Sequence, residues 1–196
     1  MKFIRCLMFL LFASVMAAAE SVFLRPNGDV QTPWKAFGCT SHFDCVNEPT
    51  QSHDGDATLI VAAAQTQATE EYALSNVPGN FDFLNTATLR VVIDWRLRNF
   101  SEDWADIWLE VGGVQIGAMQ CYANNSYHVT PCSCASPVGT FSVCEFSDNS
   151  WNMLTKDQLN NATFNIRGFD DPLNGSITAF GITAVEVLLD YTKKGQ

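Results

Sequence analysis

Apolar and polar side chains alternate along residues 88–98, which read T-L-R-V-V-I-D-W-R-L-R. One parity holds the apolar positions Leu89, Val91, Ile93, Trp95 and Leu97. The other parity holds the polar positions Arg90, Asp94, Arg96 and Arg98, with Val92 as its apolar exception. Because successive side chains of a pleated strand leave opposite faces, this pattern predicts a β-strand with one face in the core and its arginines in solvent.

A strand of this kind needs a second apolar layer over its inner face. Further strands are predicted over residues 21–24, 58–62, 71–75, 140–146, 162–168 and 177–191, with a turn at residues 26–29. Residues 105–111 and 114–118 flank Gly112-Gly113 and predict a hairpin, and Thr155 is a candidate helix cap. About eight to ten short strands separated by turns predict an all-β fold, a two-sheet antiparallel β-sandwich resembling a jelly roll.

Residues 1–19 have the organisation of a secretory signal peptide. Lys2 and Arg5 precede an apolar run, and Ala17, Ala18 and Ala19 supply the small residues that signal peptidase accepts. The apolar run is shorter than the roughly 20 residues that span a bilayer, and no later stretch is long enough either. The sequence therefore predicts a secreted protein with one domain, residues 20–196, and no membrane span after cleavage.

The charge balance argues against a nucleic-acid partner. The chain has 11 Lys plus Arg and 21 Asp plus Glu, a formal charge of −10. Removing Lys2 and Arg5 leaves 9 − 21 = −12 for residues 20–196. A surface with this charge repels phosphate backbones, and the arginines are scattered along the sequence.

Six cysteines remain after residue 19, namely Cys39, Cys45, Cys121, Cys132, Cys134 and Cys144. An even number in a secreted chain predicts disulfide bonds rather than a metal site, and six cysteines allow 15 pairings. Cys39 and Cys45 are close together and isolated, so they are expected to pair. For the others we predict Cys121–Cys132 and Cys134–Cys144, while a Cys121–Cys144 arrangement stays open.

Four sequons for N-glycosylation begin at Asn99, Asn124, Asn161 and Asn174. Together with the signal peptide and the cysteines, they indicate a eukaryotic secretory route or a virus that uses one.

Nothing in the sequence selects a catalytic site. His42, His53 and His128 have no spacing relation to one another, and the G-x-S-x-G motif of serine hydrolases is absent. We interpret the three histidines as solvated loop residues and predict that the protein is not an enzyme. A glycosidase carboxylate pair is the remaining alternative, although no two acidic residues stand out as a pair.

Two features could bind ligands. The acidic pairs Asp54/Asp56, Asp103/Asp106 and Asp170/Asp171 could contribute oxygen ligands for calcium, although none forms an EF-hand loop. Trp104 and Trp108 flank two of these aspartates, and Trp108 has the parity opposite to its apolar neighbours. An exposed tryptophan beside polar groups can stack on a sugar ring. The alternative is that a loop, a glycan or a partner subunit covers Trp108.

Three groups of segments together resemble a β-sandwich module of phage structural proteins and repetitive microbial extracellular proteins. They are residues 24–30 (L-R-P-N-G-D-V) with Trp34; residues 71–78 with the strand ending at Arg98; and residues 150–159 with 184–191 (A-V-E-V-L-L-D-Y). The resemblance covers most of the chain after residue 19 and implies a non-catalytic sandwich. The six cysteines and four sequons depart from that module.

These features predict a secreted, glycosylated, disulfide-stabilised structural subunit or adhesive module of an extracellular filament, appendage or coat. Apolar residues 22–23 and 187–189 near the two chain ends could pair with neighbouring copies. The alternative is a carbohydrate-binding module that uses Trp104 and Trp108, with or without calcium.

Overall fold

A computed structural model describes residues 19–54, 57–62, 68–94, 103–123, 129–130, 133–134, 141–169 and 181–194 of the chain. Within these ranges the chain forms 13 strands, one short helix and two 3₁₀ turns. The strands are β1 (Ala19–Leu24), β2 (Pro26–Gln31), β3 (Lys35–Phe37), β4 (Leu59–Val61), β5 (Thr69–Leu74), β6 (Phe81–Asp94), β7 (Asp103–Val111), β8 (Val114–Ala123), β9 (Val129–Thr130), β10 (Ser133–Cys134), β11 (Phe141–Phe146), β12 (Ala162–Phe169) and β13 (Gly181–Lys193). The helix α1 is Lys156–Asn160, and the 3₁₀ turns are Phe43–Cys45 and Asn149–Met153.

The strands form two antiparallel sheets, which confirms the predicted two-sheet all-β sandwich. Sheet A has the order β10-β11-β6-β13-β4-β3, and β1 pairs with β13 beside β4. Sheet B has the order β2-β5-β12-β7-β8-β9. Neighbours in each sheet are mostly distant in sequence, so neither sheet is built from one continuous segment of the chain.

The alternating stretch lies in β6, at the centre of sheet A. Leu89, Val91 and Ile93 are fully buried in the core, as the alternation predicts. The strand begins earlier than predicted, at Phe81, and residues 95–100 lie outside the described ranges. Arg90 was expected in solvent, but its side chain is 16% exposed and lies between Glu145 and Glu186 of the neighbouring strands. Cross-strand pairing of opposite charges accounts for its burial.

Strand β13 is the second central strand of sheet A. Val185, Val187, Leu189 and Tyr191 point into the core, as their shared parity predicts. The other face of the strand includes Glu186, Leu188 and Asp190, and Glu186 is its most buried carboxylate.

Two local predictions from turn and capping chemistry are confirmed. Gly112 and Gly113 have φ of 60° and 79°, and they connect β7 to β8 in a two-residue hairpin. Both angles lie in the left-handed region that this turn requires at both central residues. Thr155 caps α1, and Gln158 completes a reciprocal capping box with it.

Residues 26–29 were predicted as a turn, but they begin β2, an edge strand of sheet B. Proline and glycine are tolerated there because an edge strand needs fewer donors, and β2 pairs with β5 through two register shifts. Arg25 is the only residue between β1 and β2, so the chain moves from sheet A to sheet B within one residue.

The predicted Cys39–Cys45 disulfide is present, with its Cα atoms 5.4 Å apart. Cys144 is disulfide-bonded as well, and the β10–β11 register sets Cys134 opposite it. The predicted Cys121–Cys132 pair involves Cys132, which lies outside the described ranges. Among the residues that the structure describes, no helix is long and apolar enough to cross a membrane.

Candidate functional site

The predicted sugar platform lies on the outer face of sheet B. Ile107 and Leu109 point into the core, so Trp108 between them points outward, as its parity predicts. However, Trp108 is only 7% exposed, and the Arg167 guanidinium lies 5.8 Å from its ring centroid. The expectation of an exposed Trp108 is therefore wrong, and its ring is not open for stacking. Trp104 belongs to β7, and its side chain lies outside the described part.

The acidic pairs do not assemble into a metal site within the described residues. Asp106 forms an ion pair with Arg167, and Asp54 accepts hydrogen bonds from the backbone N–H and hydroxyl of Thr58. Asp56, Asp170 and Asp171 lie outside the described ranges, as does the side chain of Asp103. No group of three or more His, Cys, Asp and Glu side chains in the described part is placed to hold a metal ion.

His42 is not the solvated loop residue that was predicted. Its Nδ1 lies 3.1 Å from Oε2 of Glu70, a carboxylate with no exposed surface. Glu70 also accepts hydrogen bonds from the Trp34 backbone N–H at 2.6 Å and from the Tyr72 hydroxyl at 3.0 Å. Asp29 accepts the backbone N–H groups of His42 and Phe43, so these contacts dock the disulfide loop on β2 and β5.

Burial raises the pKa of Glu70 above 4.5, although the hydrogen bonds from Trp34, His42 and Tyr72 oppose this shift. The pKa of Tyr72 is also well above its usual value, first because of burial and then because of the nearby Glu70 charge. The sequence contains a signal for this network. Glu70 has the same parity as Tyr72 and Leu74, which predicts a carboxylate on the inner face of β5.

We expect the Glu70→Gln variant to have a flatter pH profile of stability than the wild type. A carboxyl with a raised folded pKa stabilises the protein below the unfolded value of 4.5, and this contribution is lost as pH rises through the folded pKa. Each pKa unit of difference between the folded and unfolded states corresponds to about 1.4 kcal/mol in the free energy of unfolding. Denaturant unfolding of both proteins across this pH window tests the expectation, and parallel profiles would contradict it.

One predicted glycosylation site can be placed. Asn161 is exposed at the C-terminal end of α1, where its side-chain amide donates to the Asp157 carbonyl. Its position at the surface fits a glycan acceptor. Asn99, Asn124 and Asn174 lie outside the described ranges, as does His128.

The feature with the clearest capacity for an intermolecular contact is the outer edge of β1. This strand pairs with β13 over six residues without a register shift, and no described strand lies on its other side. Ser21 and Phe23 are exposed. The other described edges are less open, because β9 and β10 have two residues each, β3 has three and β2 carries Pro26 and two register shifts. Short, irregular or proline-containing edges resist pairing.

The first half of β6 is also an edge, but it is protected. Strand β11 pairs only with residues 89–94 of β6. Beside this pairing, the Ala87 backbone N–H donates to the side chain of Asn152. Register shifts against β13 at Asp190/Tyr191 and Thr192/Lys193 also make this part of the sheet irregular.

Backbone alternation shows which groups of β1 are open. The Val185 N–H donates to the Val46 carbonyl, so the backbone groups of residue 185 point to the edge of β13 on which β1 also lies. In an antiparallel ladder every second residue faces the same neighbour, so Val187 and Leu189 bond Leu24 and Val22. The backbone groups of Ser21 and Phe23 therefore point away from β13, towards the open edge.

Arg25 supports this assignment independently. Its N–H donates to Ser75 Oγ, and its carbonyl accepts the Ser75 N–H at 2.9 Å, so residue 25 also faces away from β13. The Arg25 side chain donates twice to Glu186, which is 2% exposed. Glu186 therefore anchors the corner between β1 and β2 and holds β1 in place.

Comparison with models of known protein families and with curated protein sequences gave no match. The open edge of β1, with exposed Ser21 and Phe23, is therefore identified from geometry alone as the candidate functional site.

Proposed function

We propose that this protein is a secreted, glycosylated, disulfide-stabilised structural subunit or adhesive module of an extracellular assembly. The observation that carries the proposal is the regular, unprotected edge of β1. Unpaired N–H and C=O groups on such an edge are a template for another strand, and soluble monomers usually block them with charges, prolines or bulges. Here Phe23 adds an exposed aromatic side chain at 37% exposure.

Several properties of the chain support an extracellular location. Cys39 and Cys45 form a disulfide, which persists in oxidising compartments, and Asn161 lies exposed in its sequon. The signal peptide predicted over residues 1–19 provides the route. The resemblance of the sequence to structural sandwich modules points in the same direction.

The carbohydrate-binding alternative is less well supported. A stacking platform must offer an open aromatic face, whereas Trp108 is buried and covered on one side by Arg167. Asp106, its polar neighbour along β7, is engaged by the same arginine.

We expect the natively secreted protein to form species larger than one chain, with a proportion that rises with concentration. Light scattering after size exclusion measures the mass, and glycosidase treatment separates the mass of glycans from that of added subunits. Electron microscopy of the largest fraction shows whether the particles are regular. A single-chain mass at every concentration, with and without glycosidase, would refute the structural role.

A further inference from the structure

After the predicted cleavage before Glu20, the open edge of β1 presents four backbone groups, the N–H and C=O of Ser21 and of Phe23. The backbone groups of Val22 and Leu24 point the other way, towards β13, where they bond Leu189 and Val187. A strand that pairs with this edge must therefore also have two residues, two positions apart, whose backbone N–H and C=O groups are unpaired and point towards it. The chain itself contains such a strand, namely β1 of a second copy.

Building on the proposed structural role, we propose that β1 pairs antiparallel with β1 of a second copy, about a two-fold axis at Val22. In this register Ser21 of each copy lies opposite Phe23 of the other. Both are edge-facing residues, so each pair exchanges two N–H···O bonds, and all four groups of each copy are satisfied. The two copies of sheet A then form one continuous sheet.

The side chains of this register are also compatible with pairing. Val22 lies opposite Val22 of the second copy in a non-hydrogen-bonded pair, whose Cα atoms are about 4.5 Å apart. The two Phe23 side chains are diagonal neighbours on the outer face, within reach of one another. Phe23 is 37% exposed in the single chain, flanked by the guanidinium groups of Arg25 and Arg90 at 5.5 and 5.6 Å. Pairing would cover part of this exposed ring.

A two-fold contact is closed, so it produces a dimer rather than a filament. The dimer would be the unit from which a larger assembly is built through other surfaces.

The Ser21→Pro variant tests the contact on the mature secreted protein. Proline removes the edge-facing N–H of residue 21 but none of the β1–β13 hydrogen bonds, so two of the four hydrogen bonds between the copies are lost. We expect the dimer dissociation constant to rise at least about tenfold. The Ser21→Ala variant is the matched control, because it loses the hydroxyl bond to Asp190 but keeps the backbone N–H. Thermal unfolding and circular dichroism establish that both variants fold.

The register is tested by the Val22→Cys variant, which places one thiol on each side of the axis. Mild oxidation should yield a covalent dimer on a non-reducing gel. Ser21→Cys should not, since its two Cα atoms would lie about 7–8 Å apart, beyond the span of a disulfide. Equal crosslinking of the two variants, or of neither, would overturn the register.

The outcomes separate this inference from the structural role. If the wild type assembles and folded Ser21→Pro assembles equally well, β1 is not the contact, and the structural role stands on another surface. If the wild type forms dimers that Ser21→Pro abolishes but no larger particle, the inference holds and the role in a large assembly fails. A wild type that remains a single chain overturns both.

Discussion

The Glu186→Ala variant should lower the free energy of unfolding by about 3 kcal/mol, because it leaves the groups around a buried carboxylate without their partner. Glu186 Oε2 accepts from Nε and Nη2 of Arg25 at 3.3 Å each, and Oε1 accepts from the Thr50 hydroxyl at 2.5 Å. Arg90 Nη1 lies 3.7 Å from Oε1. Urea unfolding of the two proteins at neutral pH measures the difference.

Glu145→Ala is the matched control, since Glu145 is a second partner of Arg90 but is 47% exposed. Its Oε1 lies 2.8 Å from Arg90 Nε, yet this nitrogen forms no aligned hydrogen bond in the described structure. An exposed ion pair of this kind contributes at most about 1 kcal/mol. Equal losses for the two variants would show that burial does not set the strength of the Glu186 contacts.

The Glu186 variant also bears on the proposed assembly, because Arg25 is the single residue between β1 and β2. Loss of its carboxylate partner should loosen the corner and let β1 detach from β13. We therefore expect weaker self-association of this variant at concentrations where it remains folded.

The core was predictable from the sequence because its signal is periodic. Leu89, Val91 and Ile93 in β6 and Val185, Val187 and Leu189 in β13 share one parity each, and a two-residue period specifies both the strand and its buried face. The hairpin at Gly112-Gly113 and the Thr155 cap followed from local backbone chemistry, which does not depend on distant partners.

The polar contacts were not predictable in the same way, because they join residues far apart in the chain. His42 and Glu70 are 28 positions apart, and Arg25 and Glu186 are 161 apart. Only strand order decides that they meet, and periodicity does not specify strand order. The burial of Trp108 belongs to the same class, since parity gives the face of a strand but not what lies over it.

The candidate site was partly anticipated. Apolar residues 22–23 and 187–189 were expected to pair with neighbouring copies, whereas in the structure they pair with one another, β1 against β13. This pairing uses one edge of β1 and leaves the other edge open. The open edge is identified by the directions in which individual backbone N–H and C=O groups point, and the side-chain pattern does not specify on which edge β13 lies.

Gly38→Ala should destabilise the protein by about 3 kcal/mol or more, because it adds both backbone strain and a steric overlap. Gly38 follows β3 with φ of 76°, where a β-carbon costs roughly 1–2 kcal/mol. A Cβ at this position would also lie 1.9 Å from the Ala57 carbonyl oxygen, a backbone atom that cannot rotate away. Relieving this overlap would separate the segment before Cys39 from the one that leads into β4, at an added cost of about 1–3 kcal/mol.

Gly113→Ala is the control for the backbone term, because Gly113 has φ of 79° and a Cβ there would meet no atom within 4 Å. This variant should lose only about 1–2 kcal/mol. Thermal and urea unfolding of both variants, with the Cys39–Cys45 disulfide intact, give the comparison. If Gly38→Ala lost no more than Gly113→Ala, the close approach of residues 38 and 57 would not be a constraint on the fold, and the disulfide loop would be free to move away from β4.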